Sequence, residues 1–293
     1  MDKIIRTITS DGAVTAACVD CSDIVFTAQG LHKTSPSATA AFGRLLAAGS
    51  LMGANLKQSK AMLNLSIKGG GPIGTVFVTG DSNGNVRGYV TNPDCPTEYY
   101  NNGKLNVAKA VGKDGTLGVI RDYGTGEPYV GQVPLVSGEI AEDITNYFAV
   151  SEQIPTVCAL GVLLDKEDEK VLFAGGLLIQ LLPGAFEDTI EKLEKNISNL
   201  EPITTMFAKG MSILDICKTA LEGFEVEVLD EFPVNYVCGC SREKIESYFR
   251  GLPEEELRAC IGENGKAEVQ CRFCNKNYSF TEDDIEKIIK NKK

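Results

Sequence analysis

A single histidine, His32, serves all 293 residues, and tryptophan is absent. So small a supply of imidazole narrows hydrolytic mechanisms, because base and nucleophile-activating roles fall most often to histidine. His32 follows no Gly-x-Ser-x-Gly elbow and has no evident acidic partner in sequence, so a surface or loop position is expected for it. No apolar run approaches the roughly 20 residues needed to cross a bilayer. The opening Met1-Asp2-Lys3-Ile4-Ile5-Arg6 lacks the apolar stretch and small-residue cleavage site of a signal peptide. A basic surplus is missing too. The formal charge is −11, and residues 232–293 carry 11 basic and 11 acidic side chains, so the whole deficit falls on 1–231. Attraction to a phosphate backbone is then weak, and neither a nucleic-acid nor a membrane partner is expected. No segment repeats at a period of about 20–50 residues.

Cysteine, by contrast, is plentiful, with ten in the chain. Without an export signal, that number points to a reducing cytoplasm, where thiols bind metal or do redox work. Two short pairs stand near the C-terminus, Cys238-Gly239-Cys240 and Cys271-Arg272-Phe273-Cys274, with 30 residues between them. One small module thus supplies four thiolates that could close a tetrahedral zinc site, one ion per chain in the reduced state. The C-x-x-C half is an ordinary zinc knuckle. The sulfurs of the C-x-C half are near neighbours and easily oxidised. A permanent structural zinc and a site that loses metal on oxidation both fit this spacing.

The rest of the chain reads as an α+β protein. Its N-terminal domain (1–182) is mixed, with antiparallel-rich sheets; a helical linker (183–231) and a small zinc-binding domain (232–293) follow. Ile4–Thr9 and Ala13–Val19 flank Asp11-Gly12, a hairpin signal. Ser35-Pro36 reads as a cap and first turn of a helix running to about Leu56, in which Gly43, Gly49 and Gly53 permit close packing. Strands are expected at 62–67, 74–79, 86–91, 116–122, 129–135, 157–164 and 171–182, and a helix at 139–150. Helical periodicity resumes from Phe186 to Leu221, and Phe232-Pro233 marks the entry to the metal module.

Other constellations have plainer readings. Gly69-Gly70-Gly71-Pro72-Ile73-Gly74 lacks the Gly-Lys-Ser/Thr ending of a phosphate loop and joins two strands, and Tyr123–Tyr129 is likewise a connection. The acidic runs Glu254–Glu256 and Asp283-Asp284 are helix N-terminal charge. Cys18 and Cys21 form a C-x-x-C near a strand end, where residues three apart point to opposite faces, so they read as packed or partly exposed thiols. Cys95 is a loop thiol. Cys158 and Cys217 read as small hydrophobes, and Cys260 as a core residue in a Leu257, Cys260, Ile261 stripe over the metal site. No catalytic set emerges, and the chain is not expected to be an enzyme.

Taken together, these residues resemble the redox-regulated chaperonin family, the heat shock protein 33 group. The cysteine arrangement fits that family's pattern. So do Glu127-Pro128-Tyr129 through Val133-Pro134-Leu135, Ile140-Ala141-Glu142-Asp143, Tyr147-Phe148 and Ser151-Glu152-Gln153-Ile154-Pro155-Thr156. Gly175-Gly176, Gln180, Leu182-Pro183, and Arg44-Leu45 extend the match along the whole chain. The resemblance implies an ATP-independent holdase that is inactive when reduced and zinc-bound. Peroxide or hypochlorous acid, with mild unfolding, would pair Cys238 with Cys240 and Cys271 with Cys274. Zinc would leave, dimers would form, and unfolding client proteins would be held and later passed to ATP-dependent chaperones. The remaining six cysteines are outside the family's motif. Two other classes compete: a zinc-ribbon adaptor with a purely structural metal, and a thiol oxidoreductase using Cys18 and Cys21.

Overall fold

Ser35 accepts a hydrogen bond from the Ala38 N–H and Pro36 opens the first turn, so the longest helix starts where local chemistry dictates. This helix, α2 (Pro36–Ala54), is buried on every side except at Arg44. A computed structural model describes residues 1–291 and shows why. Two five-stranded antiparallel sheets pack on α2, and its Gly and Ala positions let both come close. A Cβ at Gly49 would lie 2.6 Å from Val78, and one at Gly43 2.7 Å from Val25 and Val162.

Sheet A runs in the order β10-β1-β2-β9-β8 and sheet B in the order β5-β4-β3-β6-β7. The strands of sheet A are β1 (Lys3–Thr9), β2 (Val14–Asp20), β8 (Thr156–Leu164), β9 (Val171–Leu181) and β10 (Val226–Pro233). Those of sheet B are β3 (Met62–Lys68), β4 (Thr75–Asp81), β5 (Val86–Val90), β6 (Thr116–Asp122) and β7 (Tyr129–Pro134). The glycine-rich 69–74 connection packs on the short helix α3 (Val107–Val111), with Gly71 N–H donating to the Val111 carbonyl at 2.9 Å. The expected helix at 139–150 is α4 (Ala141–Tyr147) followed by a π turn, Phe148–Glu152. Buried Asp143 anchors its start by accepting from the N–H groups of Val136, Ser137 and Ile140.

Side chains alternate across sheet A. Ile4 and Val19 face α2, whereas Ile5, Cys18 and Leu177 line the opposite face. Three helices cover that outer face: α5 (Glu187–Ser198), α6 (Ile203–Ala208) and α7 (Ile213–Ala220). Gly175 is the seat of α6. A Cβ there would fall 2.5 Å from the Phe207 ring.

Several expectations need correction. The linker is not helical to residue 231: β10 pairs antiparallel with β1, and a bulge between Asp230 and Val228 turns Val226 to the outer face of sheet A and Phe232 to the α2 face. Phe232 and Pro233 therefore end a strand, and the chain continues through buried Val234 to Tyr236, which bridges to Val86. The first of two compact units closes at Tyr236 and the second begins at Val237. His32 is neither in a loop nor on the surface. It lies buried in the last turn of helix α1 (Ser22–His32), edge-on to Phe42, with Nε2 3.3 Å from the Tyr236 hydroxyl. Helix α1 itself went unforeseen: Asp20 accepts from the Ser22 N–H at 3.1 Å, but the N-cap residue Cys21 supplies no side-chain bond to the N–H groups that follow. Asp2, distant in sequence, does so by accepting from the Asp23 and Ile24 N–H groups at 2.9 and 2.7 Å.

Two predictions follow from this packing. Gly175→Ala drives a methyl group against the Val19 carbonyl oxygen of β2 as well as the Phe207 ring, and should cost about 1–3 kcal/mol, with faster amide exchange in α6 and at the β2–β9 pairing than in α5 and α7. Burial pushes the Asp2 carboxyl up to about 6, despite the two N–H bonds that act the other way. A raised value means the folded chain binds more protons, so this group's stabilisation is full below the ordinary 3.8 and fades as pH climbs through 6. Relative to Asp2→Asn, the wild type should lose about 1–2 kcal/mol between pH 4 and pH 7, read from urea midpoints.

A four-cysteine candidate metal centre

The second unit has a small core, built on Ile245, Phe249, Leu257, Phe280, Ile285 and Ile289. Helix α8 (Arg242–Gly251) starts at Ser241, whose hydroxyl accepts from the Lys244 N–H at 3.2 Å. Helix α9 (Glu254–Ala259) begins after Pro253 with three acidic residues in its first turn, as its sequence suggests. Strands β11 (Lys266–Gln270) and β12 (Asn277–Thr281) form a hairpin, and α10 (Glu282–Lys290) follows on a Thr281–Asp284 capping box. Arg242 ties the pieces together by donating to the Ser279 carbonyl and to Asp284.

Two backbone devices aim the sulfurs. Cys238 and Cys240 sit on the segment leading into α8, where Lys244 Nζ donates to the Gly239 carbonyl at 2.6 Å. Cys271 and Cys274 sit on the β11–β12 turn. It is closed by Cys271 N–H to the Lys276 carbonyl at 3.0 Å and Asn275 N–H to the Cys271 carbonyl at 2.8 Å. Asn275 takes a left-handed φ of 56°, which asparagine tolerates better than most residues.

All four sulfurs lie within 4.8 Å of one another. Cys238 and Cys271 approach to 3.6 Å, and Cys240 and Cys274 to 3.4 Å. Zinc–sulfur bonds of about 2.3 Å in a tetrahedron separate the sulfurs by about 3.8 Å, so this donor set fits a single zinc-sized ion. Among the described residues, no other cluster of three or more potential ligands of this kind is found. The thiols are electrostatically unequal. Burial pushes Cys274 up to about 12 and raises Cys238. Burial also acts upward on Cys240, but hydrogen bonds from Tyr278 and neighbouring thiols outweigh it and bring Cys240 down to about 7. The Tyr278 hydroxyl donates to Cys240 Sγ at 3.2 Å. Sequence reading missed this tyrosine; its place on β12, two residues from the hairpin turn, is the only local hint.

The comparisons with known proteins agree along the chain. The model of the family described as Hsp33 protein matches residues 2–281. The chain belongs to the Hsp33 family. A 33 kDa chaperonin of Clostridioides difficile (strain 630) is 49% identical over 289 residues, covering 99% of each chain. That of Acetivibrio thermocellus is 45% identical over 289 residues, covering 99% of this chain and 97% of the other. A crystal structure of the 33 kDa chaperonin (heat shock protein 33 homolog) from Thermotoga maritima superposes with a TM-score of 0.90 at 38% identity. It covers 98% of this chain and 97% of that one. The curated relatives are named chaperonins, and the thiol cluster fits a redox-regulated metal site.

The remaining cysteines of this Hsp33 chain are placed elsewhere. Cys18 and Cys21 are both fully buried on opposite faces of sheet A, which removes the exposed C-x-x-C that an oxidoreductase needs. Cys95 is buried in its loop, with its carbonyl accepting from Ser35 Oγ at 2.7 Å. Cys260 corrects its expected core position: it continues the helical turn, its N–H donating to the Glu256 carbonyl at 3.1 Å, but it is exposed, and the core takes only Leu257 and Ile261 of that stripe. No described helix is long and apolar enough to cross a membrane.

Tyr278→Phe keeps the ring and removes the bond to Cys240. We expect metal affinity to fall by about 10–100-fold, measured by chelator competition, with the fold of the metal-loaded unit retained.

Proposed function

We propose that this chain is a redox-switched, ATP-independent holdase whose sensor is the thiol cluster. In this reading Cys238, Cys240, Cys271 and Cys274 hold one zinc ion in the reduced, inactive form. Bound, such an ion keeps the sulfurs deprotonated and adds folding energy, about 10–16 kcal/mol in comparable peptides. The second unit depends on it, because so small a core contributes little alone. Oxidation joins Cys238 to Cys240 and Cys271 to Cys274. The four ligands are consumed, the metal departs, and most of the folding energy of the unit goes with it.

Apolar side chains then become available to clients. Phe249, Leu257 and Phe280 are now buried in the second unit, and the linker helices α5 to α7 carry a second apolar set that faces sheet A. A large exposed apolar surface is what captures an unfolding protein. Dimers form in the oxidised state, clients pass later to ATP-dependent chaperones, and the setting is cytoplasmic. The observation that carries the reading is the placement of four sulfurs within 4.8 Å of one another on two segments distant in sequence.

The test follows zinc release and the light scattering of a heat-denatured client together, with and without peroxide at raised temperature. Peroxide should release one zinc per chain and suppress scattering, and Cys271→Ser should lose the metal without oxidant. Release of metal without any gain of anti-aggregation activity would favour a zinc-ribbon adaptor with a structural ion. Reduced protein that purifies with no bound metal would sink the reading outright.

A further inference from the structure

Helix α5 has little of its own to hold it in place. Its 12 residues are marginal for an isolated helix, no side chain caps its start, and only Thr189 and Leu193 are buried along it. It packs on α7 more than on the strands of sheet A. Helix α7 is seated differently, with Ile213, Ile216, Cys217 and Ala220 all buried against the sheet. The grip of α5 is polar and lies at the far end of α7, where the chain turns toward β10. The last carbonyls of a helix find no partner within it, and here α5 supplies two donors to that end, one turn apart. Asn196 Nδ2 donates to the Ala220 carbonyl at 3.3 Å and to the Glu222 carbonyl at 2.9 Å. Lys192 Nζ donates to the Gly223 carbonyl and lies 4.3 Å from the centre of the Phe224 ring. Gly223 takes a φ of 78°, and a Cβ there would fall 2.7 Å from Lys192 Cε, so glycine leaves room for the lysine to lie across the turn. Ser10 N–H donates to the Glu225 carbonyl at 2.9 Å and fixes the end of the same turn to the β1–β2 hairpin.

We propose that Lys192 and Asn196 form a latch that gives α5 and α7 a single opening: α5 comes away only when α7 leaves sheet A. Three successive groups of contacts, to Ala220 and Glu222, to Gly223 and to the Phe224 ring, must all break if α5 is to part from α7. Each is weak by itself at so exposed a place, and the ammonium gains further from the negative end of the α7 dipole. Without them, α5 keeps little more than Leu193 and Ile197 against the layer beneath. With them, it shares the anchorage that burial gives to α7. The latch stands on this geometry alone. Its consequence for client capture rests on the holdase reading, in which the contact is autoinhibitory: the apolar stripe of α5 cannot be offered to a client before α7 has uncovered the sheet.

The experiment is residue-resolved amide exchange on full-length, metal-loaded protein, comparing the slowest amides of Glu187–Ser198 with those of Ile213–Ala220. In the wild type the α5 amides should exchange less than about tenfold faster than those of α7. Lys192→Met combined with Asn196→Ala should widen that ratio by about tenfold or more, α5 now opening ahead of α7. Methionine and alanine both favour helix, so the loss cannot come from weakened helix propensity in α5. Lys192→Arg in place of Lys192→Met, with Asn196 kept, should hold the ratio near its wild-type value, because the cation and its donors remain. A wild-type ratio already above about tenfold overturns the proposal, and so does a smaller widening in the double variant. Client light scattering of the same proteins after peroxide treatment separates the two readings. Helices that part in the double variant, in protein that suppresses no aggregation under any condition, uphold the latch and remove the holdase reading instead.

Discussion

Four sulfurs crowded within 4.8 Å are the constraint on which the second unit depends. As thiolates they repel one another, and as thiols they offer only weak hydrogen bonds, so neither state by itself explains why two loops should bring them together. A divalent cation resolves the conflict by compensating charge and filling the directional demands of all four. The rest of the unit serves that convergence. The capped start of α8 aims one couple, the left-handed turn at Asn275 aims the other, and Tyr278 supports Cys240 from the adjoining strand.

The first unit obeys a different constraint, the burial of α2 on nearly all sides. A helix can be sheathed this way only if its side chains are small where strands cross it, and Gly43 and Gly49 meet that demand. Because α2 occupies one face of sheet A, the other face is left apolar and must be covered, and α5 to α7 do so. The linker is therefore a layer of the first unit's structure and not a tether. Its removal would uncover Ile5, Leu177 and Ile179 on the sheet as well as its own buried side chains.

What could be read from the chain follows from how local each cause is. The strands of sheet B announce themselves by alternation, Ser35-Pro36 by capping chemistry, and the metal centre by spacing alone. Helix α1 was illegible because only its Ser22 N–H has a local acceptor, Asp20, and those of Asp23 and Ile24 are satisfied by Asp2, which no window around Ser22 contains. Strand β10 hid behind a helical stretch, and its bulge at Leu229 interrupts the alternation that would have marked it. His32 looked like a solvated residue; its shelter comes from Phe42 and from Tyr236, which arrives some two hundred positions later. Cys260 failed for the opposite reason: its helical phase is right, but the small core is filled by Leu257 and Ile261 and leaves it exposed.

The pairing of β10 with β1 bears on how the molecule is made. Strand β1 lies between its hairpin mate and a strand some 220 residues downstream, so one edge of it stays open while the intervening chain is synthesised. An open edge of that kind invites pairing with other nascent chains, and folding dominated by so distant a partner is slow. This chain thus passes through a period in which its own sheet is exposed to aggregation. The four-cysteine unit is translated only after that edge has its partner.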